Sequence, residues 1–342
     1  MRVDVAIIGG GAIGAAAAYF LRSHPRACRV AVIERDTSYQ LASTPRASGG
    51  VRRLFSLPEN IALSNYSIPF FARFDAEMAV DGERPAINFR KGGYLFIVPP
   101  AAVRVLERNF EIQKANGVQV EWLERKDLKA KFPSMTVDDL GAGVLSPDDG
   151  WLDPYGVLQG LRKKAKALGA EFVNDEVVGL DVERRRLRAI RLKSGKSIEA
   201  EAVINAAGAW AKEICAMAGW TVPIEPMRRY EHYFESAEAI EPLPYIKDVH
   251  RLAFARREKA IPAAYRTSTS REGTTSTSIT TISSRLSGLR WPRASRSSSA
   301  PKKRIRCRVS MTRTSSTPHR SSDRAPESST IFISWPAFPG MA

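Results

Sequence analysis

The order of events in the first 34 residues constrains this chain more than any other feature. Residues 3–8 (VDVAII) are a β-branched run of the kind that forms a strand buried on both faces, and GGGAIG follows at once. Gly9, Gly11 and Gly14 take the G-x-G-x-x-G positions, with Ala12 and Ile13 between the last two, and AAAAYFLRS continues as a helix rich in small residues. Each glycine has a physical task. Gly9 permits the tight turn, Gly11 lets a pyrophosphate approach the backbone, and Gly14 lets the helix pack closely on the strand. The helix N-terminus then faces the phosphates with unpaired N–H groups. A second strand, residues 29–33, ends in Glu34, about 20 residues after the glycines, where a carboxylate accepts hydrogen bonds from a ribose diol. A lone glycine pattern is an ordinary tight turn, but strand, turn, helix, strand and acid in one unit form a dinucleotide signal. It identifies an ADP moiety without choosing between FAD and NAD.

The residues after Glu34 narrow the choice. An NAD-binding domain continues with further strand and helix units of the same open sheet, whereas this chain runs into the polar loop TSYQLASTPRASGGVRRLFS. A helix at 155–167 and a strand at 171–173 come much later, then a turn at 174–178. A hairpin comes next, with strands 188–192 and 197–201 alternating around Ser194-Gly195-Lys196. A buried strand at 203–205 closes the region at Ala206-Ala207-Gly208, where small residues let another backbone or a ligand come near.

The net charge of +16 suggests an acidic partner until it is mapped. Residues 256–342 hold 17 Lys+Arg against 4 Asp+Glu, and 30 of these 87 residues are Ser or Thr. The other 255 residues are nearly neutral. Cys28, Cys215 and Cys307 stand far apart without a C-x-x-C spacing, which argues against a disulfide framework or a zinc site. With no apolar run of about 20 residues, the expectation is a cytoplasmic protein with no membrane span, no metal and no nucleic-acid partner.

The glycine turn with Glu34, the loop ASGGVRR, the segment DGWLDPYGVLQGLRKKAKALGAEF and the strand end VINAAGAWA together resemble a family. It is the FAD-dependent D-amino-acid oxidase superfamily, in particular its sarcosine oxidase and glycine oxidase branch. The resemblance covers about residues 1–257 and implies an α/β fold. A Rossmann-like FAD-binding domain (1–86 and 150–222) would carry a mixed-sheet, α+β substrate domain (87–149 and 223–257). By similarity Gly9, Gly11, Ala12, Ile13 and Gly14 would hold the FAD pyrophosphate, and Glu34, with Arg35 beside it, the adenosine ribose. Val177 would read the adenine edge, and Ala206, Ala207, Gly208 and Trp210 would pass close to the dinucleotide.

The loop 43–52 would run along the flavin, with Ser48, Gly49 and Gly50 giving backbone access and Arg52 near the isoalloxazine ring as the catalytic candidate. A cation there stabilises the anionic reduced flavin; the plainer reading of Arg46, Arg52 and Arg53 is a solvated basic loop. Lys91-Gly92-Gly93-Tyr94 resembles the start of the substrate domain, and PIEPMRRYEHYFE the return to its sheet. His232 and Tyr233 on that return, and Tyr94, Phe96 and Trp122, read more simply as packing residues. The implied reaction is oxidation of the C–N bond of an amino acid or secondary amine, with oxygen or a redox partner as final electron acceptor. An NAD-dependent oxidoreductase is one alternative. A non-catalytic, basic-tailed nucleotide-fold binding protein is the other.

After Arg257 the periodicity fails, so residues 258–342 are expected to lack regular structure. A second explanation lies in the genetic code. Taking the third base of each codon with the first two of the next, residues 331–342 (IFISWPAFPGMA) permit Phe-Tyr-Leu-Val-Ala-Gly-Phe-Ser-Gly-His-Gly. Trp335 before Pro336 can give only Ala, and Met341 before Ala342 only Gly. Gly-Phe-Ser-Gly-His-Gly resembles a motif that the sarcosine oxidase branch carries near its C-terminus. Residues 290–296 permit Leu-Ala-x-Arg-Val-Pro and 308–312 permit Gly-Leu-Tyr-Asp, both similar to the same branch. The expectation is a one-base slip near Arg257, and a chain impaired in the flavin and substrate half.

Overall fold

A computed structural model describes residues 1–26, 28–184, 186–235, 242–248, 253–257, 264–269, 307–314 and 330–331. In chain order its elements begin with β1 (Arg2–Ile8), α1 (Ala12–Ser23), β2 (Val30–Glu34), β3 (Gly50–Val51), α2 (Pro58–Glu77), β4 (Tyr94–Val98), α3 (Val103–Ala115), β5 (Glu121–Glu124) and α4 (Arg125–Lys131). They continue with β6 (Ala142–Ser146), β7 (Gly150–Trp151), α5 (Pro154–Ala167), β8 (Glu171–Asn174), β9 (Val177–Glu183), β10 (Arg186–Leu192), β11 (Ser197–Asn205), α6 (Ala211–Met217) and β12 (Ile224–Glu235). Short strands complete the order: β13 (Tyr245–Asp248), β14 (Ala253–Arg257), β15 (Ala264–Thr269), β16 (Cys307–Thr314) and β17 (Thr330–Ile331).

The β-branched runs of β1 and β2 form strands because both of their faces are covered. Ile7, Val30 and Val32 pack with Ala18 of α1 and Ala165 of α5. Ala6, Ile8, Ala31 and Ile33 point the other way, into a layer with Ile190, Leu192, Ile198 and Ile214. The first sheet runs β8-β2-β1-β11-β10-β9, with β17 also on β11. Its β8, β2, β1 and β11 are parallel, while β10 and β9 fold back antiparallel. Val203–Asn205 is continuous with the hairpin strand in β11, and the turn expected at 174–178 ends early, because Val177 already pairs with Leu192 and opens β9.

The second sheet runs β16-β12-β15-β14-β13-β4-β6-β5 and mixes directions, β13 being parallel to β4 and every other neighbouring pair of that order antiparallel. One face of β4 lies over Leu128, Phe132 and Met135. The other carries Tyr94, Phe96 and Val98 with Leu106 and Tyr245. β3 pairs with β7 alone, Gly50 opposite Trp151, and ties the loop after the short helical turn Thr44–Arg46 to the chain between the sheets. His232 on β12 has Thr267 of β15 as its backbone partner.

Helix α2 has no counterpart among the elements expected from sequence. Pro69 stands in its interior, where proline removes an N–H and reads as a break, yet Ile61, Ile68, Phe70 and Phe74 are buried along it. In the segment expected to lack regular structure, the described residues are strands: β15 pairs with β12 and β14, β16 with β12, and β17 with β11. Residues 290–296 and 335–342, central to the shifted reading, lie outside the described residues.

Candidate functional site

The glycine turn is shaped by two kinds of constraint. Gly9 has φ +100°, and a Cβ on it would lie 2.5 Å from the Ala206 carbonyl oxygen; a Cβ on Gly14 would lie 1.9 Å from the carbonyl oxygen of Gly9. Those two glycines are demanded by the chain's own packing. At Gly11 a Cβ would meet only Thr44 Oγ1, at 3.7 Å, so its open face is a cradle that a side chain would fill. Gly11 is also the N-cap of α1, with no side-chain cap. The Ala12 N–H donates to Thr44 Oγ1 at 3.3 Å, and the first intrahelical bond runs from Ala15 N–H to the Gly11 carbonyl. The Ile13 and Gly14 amides therefore belong to the uncapped first turn, the arrangement that receives a phosphate.

Glu34 ends β2 beside this turn. Its Oε2 accepts from Gly10 N–H at 2.7 Å and its Oε1 from Asp36 N–H at 2.9 Å, which fixes the carboxylate while each oxygen keeps a further acceptor site. Asp175 N–H donates to the Glu34 carbonyl, bringing the start of β9 and Val177 to the same end of the sheet. Arg35 lies over the Trp210 ring, 3.9 Å from its centroid, and 3.8 Å from Glu176. Ala206, Ala207 and Gly208 follow β11, whose Asn205 accepts from Ala207 N–H and donates to Ala211. The residues expected to hold the pyrophosphate, ribose and adenine thus converge on one edge of the first sheet, and their open, donor-lined cradle fits an ADP group.

The loop between the sheets behaves differently from expectation in one respect. Gly49, at φ +72°, would place a Cβ 2.0 Å from the Leu152 carbonyl oxygen, and Gly50 would place one 2.9 Å from the Tyr245 ring. The close approach at both positions is to this chain's own atoms. Ser48 beside them is buried. Arg53 is no solvated surface group: its guanidinium meets Asp149 Oδ1 at 2.9 Å with side-chain exposures of 15% and 0%, and its N–H donates to Oδ2 at 2.6 Å. Burial pushes the Asp149 carboxyl up from its ordinary value against the pull of Arg53. Asn65 of α2 accepts from Arg53 Nε. Arg46, by contrast, is bonded to the Gln40 carbonyl at the exposed start of the loop.

Arg52 turns into an aromatic box. Its guanidinium carbon is 4.4 Å from the Phe55 ring centroid, 5.7 Å from Tyr94 and 5.6 Å from Phe96. Its Nε is buried and has no hydrogen-bond partner among the described residues. Tyr94 stacks on Tyr245 at 4.4 Å and 12°. Thus Tyr94 and Phe96, read from sequence as core, are both core and wall of this box, whereas Trp122 packs on Phe110. Sequence reasoning missed Thr44, Phe55, Asp149 and Tyr245. Only Thr44 carried a signal, its hydroxyl in the polar loop after the ribose acid. Another buried group, Tyr39, sits beneath Gly10 with its hydroxyl unpartnered among the described residues and pushed by burial up to about 12.

Comparison with known proteins extends this picture. The chain is 33% identical over 263 residues to FAD-dependent oxidoreductase domain-containing protein 1 of Bos taurus, a match spanning 67% of this chain and 54% of that protein. It is 28% identical over 255 residues to mitochondrial sarcosine dehydrogenase of Mus musculus, covering 72% of this chain and 27% of the other. The chain therefore spans about half, or less, of the length of these curated relatives. Among solved structures, L-proline dehydrogenase from P. horikoshii aligns with a TM-score of 0.75 at 22% identity, over 92% of this chain and 82% of that one. Glycine oxidase from Geobacillus kaustophilus aligns at 0.73 and 19%, over 92% and 83%; identities this low speak for the fold alone. The profile of the family described as FAD dependent oxidoreductase (DAO) matches residues 4–275. The choice that the glycine turn left open between two dinucleotides thereby falls to FAD, and this chain belongs to the DAO family of FAD-dependent oxidoreductases.

Proposed function

We propose that the chain descends from an enzyme that oxidises the C–N bond of an amino acid or secondary amine bearing a carboxylate. The observation that carries this reading is Arg52, a cation whose buried Nε lacks a partner among the described residues, inside a wall of Phe55, Tyr94 and Phe96. A guanidinium with a buried, unpartnered Nε among aromatic rings favours a carboxylate, which arginine binds through two parallel hydrogen bonds. The aromatic wall excludes water and leaves the neutral amine to be aligned by shape. FAD held at the glycine turn and Glu34 would supply a two-electron acceptor, so that loss of the substrate's α-hydrogen as hydride and of the amine N–H as a proton would leave an imine for water to hydrolyse. Relatives named for sarcosine dehydrogenase and 4-methylaminobutanoate oxidase support the amine class.

The test is direct. In FAD-reconstituted protein, a carboxylate-bearing secondary amine should bleach the oxidised-flavin absorbance under anaerobic conditions, and Arg52→Met should raise its KM about tenfold or more with little change for an uncharged amine. Equal loss for both amines would remove Arg52 from the carboxylate role. Oxygen uptake measured against reduction of an artificial dye distinguishes oxygen from a redox partner as acceptor.

We further propose that residues 258–342 are out-of-frame translation, and that this chain is impaired in consequence. The change of composition at Arg257 and the decoded Gly-Phe-Ser-Gly-His-Gly support it. Resequencing across the Arg257 codon decides the matter. Peptides reading REKAIPAAYRTSTS from protein made by its own host would overturn it. A cytoplasmic location, resting on the sparse cysteines, belongs among these proposals.

A further inference from the structure

Asp149 stands where the separate parts of the aromatic box meet. Its carbonyl accepts from Gly93 N–H at 2.9 Å, one residue before Tyr94, and the Gly93 carbonyl accepts from Tyr245 N–H at 2.9 Å. The two stacked tyrosines therefore hang from the main chain of Asp149. The next residue, Gly150, pairs with Val51 across β3 and β7. The Asp149 side chain reaches the residue after Arg52: Oδ2 accepts from the Arg53 backbone N–H at 2.6 Å and Oδ1 from Arg53 Nη1 at 2.9 Å. Arg52 thus lies between two anchored neighbours, Val51 and Arg53, both tied to residues 149–150.

The chain beyond Arg53 is held as well. Phe55 N–H donates to the Arg53 carbonyl at 2.7 Å, a tight turn over Leu54, which is buried in one cluster with Tyr94 and Phe96. The Phe55 carbonyl accepts from Gln113 of α3 at 3.2 Å, and Arg53 Nε donates to Asn65 of α2 at 3.0 Å. Well-packed apolar residues in place of a buried ion pair are often as stable, so stability alone does not account for two charges at this point. What the charges add is direction. One carboxylate that takes both the main-chain N–H and the guanidinium of the same residue fixes the backbone there in position and in orientation, which contact between apolar side chains does not.

We propose that Asp149 is a positioning residue that, acting through Arg53, sets the Arg52 guanidinium against the wall of Phe55, Tyr94 and Phe96. The inference rests on the carboxylate role proposed for Arg52 and adds the group that aims it.

Arginine Nε–H resonances of the full chain read that placement directly, the Arg52 signal being assigned by its loss in Arg52→Lys. Beside three rings it should stand apart from the signals of exposed arginines, and butyrate, a non-reacting carboxylate, should move it on titration. Two variants separate aim from stability. Asp149→Asn keeps the volume and removes the charge; Arg53→Met combined with Asp149→Leu removes both charges and strands neither. In each, the Arg52 signal should fall back toward those of exposed arginines and butyrate should bind about tenfold more weakly, while the combined variant keeps a cooperative thermal melt. An Arg52 signal and a butyrate affinity unchanged in both variants would overturn the proposal. Loss of the cooperative melt in both would overturn it too, by making the pair a folding element. A signal that moves in both variants of a chain that does not bind butyrate would remove the carboxylate reading of Arg52 and leave its positioning by Asp149 in place.

Discussion

Two glycines three positions apart answer to different forces, and single substitutions separate them. Gly14→Ala sets a methyl group 1.9 Å from the Gly9 carbonyl oxygen, so helix and strand must part; loss of folded protein, seen as a lost thermal transition, is the expected outcome. Gly11→Ala meets nothing closer than 3.7 Å, and Gly11 has an extended N-cap backbone that alanine adopts freely. Its melting temperature without FAD should therefore hold, while FAD affinity falls about tenfold or more as the methyl enters the pyrophosphate space. If both variants lose stability equally, the open face at Gly11 is structural. The Arg53–Asp149 pair gives a second residue-scale expectation. Arg53→Met strands a carboxylate of zero exposure, at a cost of about 3–5 kcal/mol near neutral pH. Because burial raises the folded Asp149 value, that carboxyl takes up its proton before the unfolded one as pH falls. Its penalty is absent at low pH and appears as pH rises through the folded value. The stability gap between Arg53→Met and the unaltered chain should accordingly narrow in urea melts at pH 4.5 relative to pH 7.5. A gap that widens in acid would place the cost elsewhere.

Elements differ in how openly they announce themselves. β1, α1 and β2 were legible because local spacing alone specifies them, and α5 because Asp153-Pro154 sets its start. Asp153 caps that helix, its Oδ1 accepting from Tyr155 N–H at 2.9 Å, with proline in the first turn. Asp153→Ala should lower stability by about 1 kcal/mol, with Asp153→Asn restoring most of it in denaturant titrations. Helix α2 stayed hidden because its N-cap is Leu57, its interior holds Pro69, and its burial is decided by α1 and α5 rather than by a stripe of its own. In the candidate site the same division holds. The ADP-binding turn lies within one contiguous unit, whereas the box around Arg52 joins residues 50–55, 94–96 and 245–247 through strand register, which no local pattern contains. Asp149 was invisible for that reason: one aspartate in SPDDGW reads as a turn residue until Arg53 is folded against it.

Across the whole molecule, the charge of +16 resolves into a nearly neutral body and a basic C-terminal quarter whose text does not match it. If that quarter is out of frame, the restored reading frame should yield protein that takes up FAD more tightly and scatters less light at micromolar concentration, because strand edges that seek partners are an aggregation hazard. Indistinguishable FAD uptake and scattering by the two forms would mean that the written tail serves the fold as well. The parallel pairing of β1 with β11 carries one more consequence. Arg2 aligns with Glu199 and Ile8 with Asn205, so the strand that begins the chain has its inner neighbour nearly two hundred residues away. At ribosomal speeds of about 5–20 residues per second, β1 emerges about 10–40 seconds before that neighbour does. During synthesis the nascent nucleotide half stands open on one side for all that time, and β1, whose Ile7 is fully buried in the folded protein, is the strand that waits.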